Sequence, residues 1–253
     1  MTAALQATGI SVSFGGVRAL VDVDIEVPEG SLVGLIGPNG AGKTTFIDAI
    51  SGFVPCRGKI VLDGRDISGA RAHARSSRGL ARTWQSIELF EDLTVAENII
   101  VSSHRPTAWS IAKEILGRRT SATAEAVAIL AQMGLADAAD KMPGDLPQGQ
   151  RKLVGVARAL ASAPRLLCLD EPAAGLDTNE SEELGQRLRA AVTPATSLLL
   201  VDHDMGLVLG ISDYVYVLEF GRIIAHGKPQ DVRRDPAVIT AYLGSSALPT
   251  QGS

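Results

Sequence analysis

The chain has 253 residues, of which 45% are hydrophobic and 21% are charged, and this composition excludes an intrinsically disordered protein. Two cysteines are too few for a disulfide-stapled scaffold and fit a reducing compartment. The formal net charge of −4 argues against a nucleic-acid-binding domain, because such domains carry an excess of basic residues.

No segment of the sequence has the pattern of a membrane span. A transmembrane helix needs about 20 mostly apolar residues. The longest charge-free stretches, residues 1–17 and 236–253, are broken by polar residues, glycine or proline. The first residues also lack the basic start and apolar run of a signal peptide. We therefore expect a soluble protein that works at a membrane only through a partner.

The first part of the chain predicts strands and one helix. Partial alternation of apolar and polar residues indicates strands over residues 4–14 and 19–27, and the apolar run 31–36 is typical of a buried strand. A glycine-rich loop and a helix over residues 43–51 follow, and then a strand over 59–62. Further on, residues 70–82 carry four arginines, which we interpret as a solvated helix face.

The middle of the chain is helical, and the strand–helix alternation then resumes. Residues 94–133 are rich in alanine and show helical spacing, most clearly over 122–133, before prolines break the pattern. The elements predicted after this break are helices over 149–162 and 179–191 and strands over 166–169, 197–201, 214–218 and 222–225.

A phosphate-binding loop lies between the predicted strand 31–36 and the predicted helix 43–51. Residues 37–44 fit the pattern G-x-x-x-x-G-K-[ST]. Glycines let backbone N–H groups curl around phosphates, Lys43 can reach the β- and γ-phosphates, and the Thr44 hydroxyl can ligate Mg²⁺. A chance match in an ordinary glycine-rich turn is the alternative, but the strand–loop–helix context favours nucleotide binding. The nucleotide-binding residues predicted here are Gly37, Asn39, Gly40, Ala41, Gly42, Lys43, Thr44 and Thr45.

A pair of carboxylates follows the apolar strand 166–169. Ligands of open α/β sheets bind at the carboxyl ends of the strands, so Asp170 and Glu171 are expected at the same edge as the loop. Asp170 can belong to the Mg²⁺ shell, and Glu171 can polarise or orient an attacking water. The alternative is that these two residues form an ordinary polar turn after the strand, but the neighbouring phosphate loop favours a functional pair.

These patterns predict an α/β protein with a P-loop NTPase parallel-sheet core, an N-terminal antiparallel β region and an inserted α-helical subdomain. Residues 1–86 and 164–243 would form the nucleotide-binding core. Residues 87–163 would form the helical subdomain, and residues 244–253 a disordered tail.

The chain resembles an ATP-binding cassette (ABC) ATPase over nearly its full length. The motifs that carry the resemblance stand in the order typical of that family. They are Phe14, the phosphate loop, Gln85, the signature-like segment 146–150, the Asp170–Glu171 pair, the Gly175-Leu176-Asp177 turn and His203.

The resemblance implies roles for these residues. Phe14 would stack on adenine, Gln85 would ligate Mg²⁺ and sense water, and His203 would contact the γ-phosphate. Gly149 and Gln150 would bind a nucleotide held by a facing cassette, to which Asp177 would also signal. From the residues alone, other readings remain open: Phe14 as strand core, Gln85 as a solvated polar residue, and His203 as a helix cap or carboxylate partner.

The signature-like segment departs from the family pattern. The usual L-S-G-G-Q is replaced by Leu146-Pro147-Gln148-Gly149-Gln150. Pro147 offers neither a hydroxyl nor a backbone N–H to a phosphate. We therefore expect a preference for a different cassette as the partner in the dimer.

Within the family, the chain resembles the ATPase subunits of branched-chain (hydrophobic) amino-acid importers. The residues that carry this resemblance are the runs 79–85, 89–98 and 238–244. It implies ATP and Mg²⁺ as cofactors, a second cassette, transmembrane permease subunits and, indirectly, a substrate-binding protein, at the cytoplasmic face of the membrane. The alternatives are an ABC ATPase that serves urea, amides, another solute or export, a soluble non-transport ABC ATPase, and a small-molecule phosphotransferase.

Overall fold

Two β-sheets form the frame of the protein in the computed structural model, which describes residues 2–84, 89–103 and 120–246. The strands are β1 (Ala3–Phe14), β2 (Val17–Pro28), β3 (Leu32–Ile36), β4 (Arg57–Leu62), β5 (Arg65–Asp66), β6 (Leu80–Arg82), β7 (Leu166–Asp170), β8 (Ser197–Val201), β9 (Tyr214–Glu219) and β10 (Arg222–Gly227). The helices are α1 (Lys43–Ser51), α2 (Ala72–Ser77), α3 (Val95–Ser103), α4 (Thr120–Gln132), α5 (Gln148–Leu160), α6 (Thr178–Ala191), α7 (Met205–Ile211), α8 (Pro229–Val232) and α9 (Pro236–Ser246).

The two sheets differ in strand direction. The four-stranded sheet has the order β2-β1-β4-β5 and is antiparallel throughout. The six-stranded sheet has the order β10-β9-β3-β8-β7-β6, and only the β10–β9 pair is antiparallel. Every residue of β3, β7 and β8 is buried, as expected for strands covered on both faces. The predicted α/β class, with its antiparallel N-terminal region and parallel core, is confirmed.

Helix α1 packs between the two sheets, and most other helices cover the opposite face of the parallel sheet. Phe46, Ile47 and Ile50 of α1 lie in one apolar core together with β1, β2 and one face of the parallel sheet. The second core joins the other face of that sheet to α3 through α7. The glycine-rich loop before α1 is therefore fixed by a helix whose apolar face is buried between the two sheets.

One predicted site residue lies outside the described residues, and the predicted start of a disordered tail needs correction. Gln85, the predicted Mg²⁺ ligand and sensor, lies outside them. The tail predicted to be disordered from residue 244 is instead helical through Ser246, where α9 ends, and residues 247–253 lie outside the description. The helix continues because Val238 and Ala241 anchor it in the core and no proline interrupts it before residue 249.

Only two of the four arginines of residues 70–82, Arg71 and Arg78, are exposed as the sequence predicts, whereas Arg75 and the Arg82 side chain are buried. Only residues 72–77 are helical, and Arg75 is 4% exposed. Its guanidinium donates hydrogen bonds to the carbonyls of Ala49 and Ile50 at 2.8 and 2.7 Å, and to those of Ala70 and Ser68 at 2.8 Å each. Arg75 therefore satisfies carbonyl groups at the carboxyl end of α1, which a helix leaves without intrahelical donors.

None of the helices in the described part of the chain combines the length and the apolar character needed to cross a bilayer.

Replacement of Arg75 should destabilise the fold. Arg75→Met keeps much of the apolar stem but removes the four hydrogen bonds that the guanidinium donates to these carbonyls, two of them fully buried, and each lost bond costs free energy. We expect the free energy of unfolding to fall by about 3 kcal/mol, measured by urea denaturation with an unchanged m-value. The exposed Arg78→Met is the matched control. Equal stability of the two variants would contradict this role of Arg75.

Candidate functional site

The glycine-rich loop between β3 and α1 is held in place by close backbone packing. A Cβ atom on Gly37 would overlap the carbonyl oxygen of Leu218 in β9. Gly42 has a φ of 106°, and a Cβ there would lie 2.8 Å from the carbonyl oxygen of Ala19. The N–H of Gly221 also donates to the carbonyl of Ala41 at 2.9 Å. Glycine is therefore required at two points for the loop to lie against β9 and β2.

Helix α1 begins directly after this loop without a side-chain cap. Its N-cap residue, Gly42, is in the left-handed conformation and has no side chain that could accept from the first N–H groups. These N–H groups and the positive end of the helix dipole suit a phosphate group.

A cavity of about 420 Å³ opens over the loop. It is lined by Asn39, Gly40, Ala41, Gly42, Lys43, Thr44 and Thr45 from the loop and α1, by Val17, Arg18 and Ala19 from β2, and by Glu171, Phe220 and Gly221. The structure thus joins most of the predicted phosphate-binding residues to Glu171. Gly37, at the base of the loop, is buried against β9 rather than among these lining residues.

Lys43 extends back over the loop. The side chain donates to the carbonyls of Gly37 at 2.7 Å and Pro38 at 3.1 Å, and the residue is 5% exposed. Burial lowers the pKa of the Lys43 ammonium, whereas the nearby carboxylates of Glu171 and Asp170 favour its charged form. A buried cation at this point is suited to an anionic ligand.

Asp170 lies at the end of β7 with its two carboxylate oxygens in different situations. Oδ2 accepts a hydrogen bond from Arg82 Nη2 at 2.9 Å, while Oδ1 is buried and has no hydrogen-bond partner. Burial raises the pKa of Asp170, and the neighbouring Arg82 guanidinium opposes part of that increase. A buried carboxylate oxygen without a partner fits a divalent cation or one of its water ligands.

The metal ligands predicted from the sequence suit Mg²⁺ in this arrangement. Thr44 is exposed at the cavity and presents a hydroxyl, and Asp170 presents its unpartnered oxygen. Within residues 2–84, 89–103 and 120–246, no group of three or more His, Cys, Asp and Glu side chains could hold a metal ion. Mg²⁺ needs no such cage when phosphate oxygens and water complete its shell.

Glu171 and His203 come together at the ends of two neighbouring strands. His203 Nδ1 lies 3.7 Å from Glu171 Oε2 and 3.5 Å from Asp202 Oδ1. Glu171 has a left-handed φ of 48°, which places its side chain on the wall of the cavity. His203 follows β8, is half-exposed and does not cap α7; that helix is capped by Asp204.

The buried residue Asp202 fixes the turn that carries His203. It is fully buried, and it accepts hydrogen bonds from the N–H groups of Ala173, His203 and Asp204 at 2.8–3.1 Å. No motif in the sequence pointed to Asp202. Its place directly after an apolar strand, one residue before His203, was the available signal.

Besides Gly37, three predicted nucleotide-binding residues do not line the cavity of this chain. Phe14 is half-exposed at the β1–β2 turn and is therefore not strand core. Gly149 and Gln150 stand at the start of α5, where Gly149 packs against Glu180. Glu180 forms a capping box with Asp177 at the start of α6. The signature-like segment and the Asp177 turn are therefore neighbours on a second part of the surface.

The structure adds five cavity residues that the sequence did not indicate: Val17, Arg18, Ala19, Phe220 and Gly221. Val17 and Arg18 start β2, and Phe220 lies at the tip of the β9–β10 turn with 85% exposure. Phe220 is distant from the loop in sequence, so no local pattern could have associated the two.

Two family models match the chain. The model described as ABC transporter matches residues 20–174. The model described as branched-chain amino acid ATP-binding cassette transporter matches residues 222–247, which include β10 and α9.

Curated relatives and solved structures match over nearly the whole chain. The chain is 38% identical over 252 residues to the high-affinity branched-chain amino acid transport ATP-binding protein BraF of Pseudomonas aeruginosa, and the match covers 96% of this chain and 98% of BraF. It is 36% identical over 250 residues to the LivG protein of Escherichia coli, named for the same transport, with the same coverage. The ADP conformation of MJ1267, an ATP-binding cassette of an ABC transporter, has a TM-score of 0.85 at 29% identity and covers 96% of this chain and 100% of its own.

The close approach at Gly37 gives a direct test of the loop. Gly37→Ala should lower the free energy of unfolding by about 2–3 kcal/mol, because the new Cβ must displace the backbone of β9. Gly155→Ala in α5 meets no atom within 4 Å and should instead add roughly 0.5–1 kcal/mol. Thermal and urea unfolding measure both. A Gly37→Ala protein as stable as the original would refute the packing constraint.

Proposed function

Because the chain belongs to the ABC transporter family of ATP-binding proteins, we propose that it is the ATP-hydrolysing subunit of an importer for branched-chain amino acids or similar small solutes. Nucleotide binding and ATP hydrolysis follow from family membership. The observation that carries the substrate class is the joint similarity to two branched-chain amino acid transport proteins, supported by the match at residues 222–247.

The loop residues bind the triphosphate in this proposal. The backbone N–H groups of residues 39–45 surround the phosphates at the start of α1, and Lys43 leaves the loop carbonyls to contact the β- and γ-phosphates. Phe220 lines the cavity, and the half-exposed Phe14 would stack on adenine. Thr44, Asp170 and Gln85 would hold Mg²⁺. When bound, the ion neutralises charge on the β- and γ-phosphate oxygens.

Glu171 and His203 act on the terminal phosphate. Glu171 orients the attacking water and accepts its proton, because its carboxylate lines the cavity over the loop. His203 contacts the γ-phosphate from the neighbouring strand end, 3.7 Å from Glu171. Asp202 keeps His203 in place through the three backbone hydrogen bonds of the turn.

A second cassette completes the site in the proposed assembly. Gly149 and Gln150 would contact the nucleotide of the facing subunit, since they stand outside the cavity of their own chain. Pro147 is exposed at the N-cap of α5 and supplies no hydrogen-bond donor. Of the two nucleotide sites in the dimer, the one completed by Pro147 would therefore bind the γ-phosphate less tightly. This asymmetry favours a heterodimer with a cassette that carries a serine there.

The proposed permease contact is a groove of about 660 Å³ between the core and α5. Phe53 and Trp84 line it from the core, and Arg158 and Gly155 line it from α5. Residues 87–163 would move with the signature helix, and Gln85 would pass this motion to a transmembrane subunit. The chain would therefore sit peripherally at the cytoplasmic face of the membrane, and a substrate-binding protein would act through the permease.

Removal of the proposed base should separate binding from turnover. Glu171→Gln is expected to retain ATP affinity and to lower kcat by about a hundredfold or more, the usual scale for general base catalysis. Equilibrium ATP binding and phosphate release measure the two quantities. Glu183→Gln, on the surface of α6 beside Arg187, is the matched control and should leave both unchanged. Hydrolysis within a few-fold of the original chain would remove Glu171 from its role.

Reconstitution tests the substrate class. The complex that co-purifies with this chain, placed in proteoliposomes with its binding protein, should take up labelled leucine, isoleucine or valine only when ATP is present. The same complex with Glu171→Gln should show no uptake above background. Uptake of urea or an amide without uptake of these amino acids would contradict the proposed substrate while leaving the ATPase assignment intact.

A further inference from the structure

Arg82, the last residue of β6, forms a buried bridge between α1 and β7. Its side chain is 6% exposed and pairs through Nη1 with Asp48 of α1 and through Nη2 with Asp170 Oδ2 at 2.9 Å. Because the guanidinium is planar and has several donors, it can join two carboxylates that come from different elements. One buried cation thus compensates two acidic groups.

The same guanidinium is also in contact with two aromatic rings. Arg82 Cζ lies 4.3 Å from the centroid of Trp84 and 6.0 Å from that of Phe53. The two rings meet edge to face with centroids 5.1 Å apart. Trp84 and Phe53 line the groove between the core and α5, and Trp84 immediately precedes Gln85.

We propose that Arg82 is a positioning residue for Mg²⁺ binding, which holds the Asp170 carboxylate by Oδ2 so that Oδ1 is left for the metal shell. Because Arg82 also stacks on Trp84, a shift of the Asp170 carboxylate would be transmitted to the groove between the core and α5. The inference rests on the proposed role of Asp170 in metal binding.

The geometry explains why this position calls for arginine. A lysine ammonium is a single point charge and cannot pair with Asp48 and Asp170 while stacking flat on an indole ring. Without the guanidinium, Asp170 would lose the cation that donates a hydrogen bond to its Oδ2, and the carboxylate would be free to rotate. Removal of a residue that orients a metal ligand commonly weakens metal binding by about 10–100-fold.

Binding of ADP to the full chain, with and without Mg²⁺, tests this role apart from turnover. In EDTA, Arg82→Gln and Arg82→Lys should bind ADP within about twofold of the original chain, because the loop is untouched. With ADP present, the Mg²⁺ concentration at half-saturation should rise at least about tenfold in Arg82→Gln and less in Arg82→Lys. Isothermal titration calorimetry measures both. Arg165→Gln, which breaks a half-exposed pair with Asp63, is the control and should show no shift.

Asp170→Asn separates failure of this inference from failure of the proposed site. If Asp170→Asn raises the required Mg²⁺ concentration and neither Arg82 variant does, the positioning role is wrong and the metal site stands. If neither Asp170→Asn nor the Arg82 variants change it, Asp170 is not a metal ligand and the inference falls with that role. Should Arg82→Gln fail to fold, the charge-retaining Arg82→Lys decides the question.

Trp84 provides a second readout of the proposed link. In a Trp109→Phe background, Trp84 is the remaining tryptophan of the chain. Addition of Mg²⁺ to the ADP-bound protein should change its fluorescence emission, and the change should be absent in Arg82→Gln. The same change with and without Arg82 would overturn the connection to the groove.

Discussion

The shared edge of three parallel strands determines where this protein can do chemistry. Strands β3, β8 and β7 lie side by side and in parallel, so their carboxyl ends open at one edge of the sheet. Lys43 follows the first of these strands, His203 follows the second, and Asp170 is the last residue of the third. Lys43 and His203 are 160 positions apart in the chain, yet both stand at this edge. Their strands cannot shift in register, because β3, β7 and β8 are fully buried.

The charged residues at this edge need partners because they are buried. Lys43, Asp170 and Asp202 are each at most 5% exposed, and an isolated charge in such surroundings would be costly. Each of these groups has hydrogen-bond partners. Lys43 donates to loop carbonyls, one oxygen of Asp170 accepts from Arg82, and Asp202 accepts from three backbone N–H groups. Of these three residues, Asp170 keeps one buried oxygen, Oδ1, without a hydrogen-bond partner, and a buried polar atom of this kind is typical of functional sites.

The sequence predicts those features that depend on neighbouring residues. The glycine-rich loop, the Asp170–Glu171 pair and most element boundaries follow from local patterns, and so does the α/β class. Arg75 and Arg82 could not be predicted as buried, because charged residues at helical spacing indicate a solvated face unless carbonyls and carboxylates from distant elements surround them. Phe220 reaches the cavity only through the pairing of β9 with β3, which no local pattern encodes. The three-residue strand β6 is too short for any period to be recognised.

The left-handed backbone of Glu171 carries a consequence for attempts to engineer this protein. A non-glycine residue in that region is strained, and the surrounding turn must supply the free energy that maintains it. Glycine or asparagine would relax the strain, yet neither has a carboxylate. Directed evolution for heat resistance alone would therefore favour substitutions that remove this carboxylate from the cavity, so thermostable variants of this chain must be sought with residue 171 held constant.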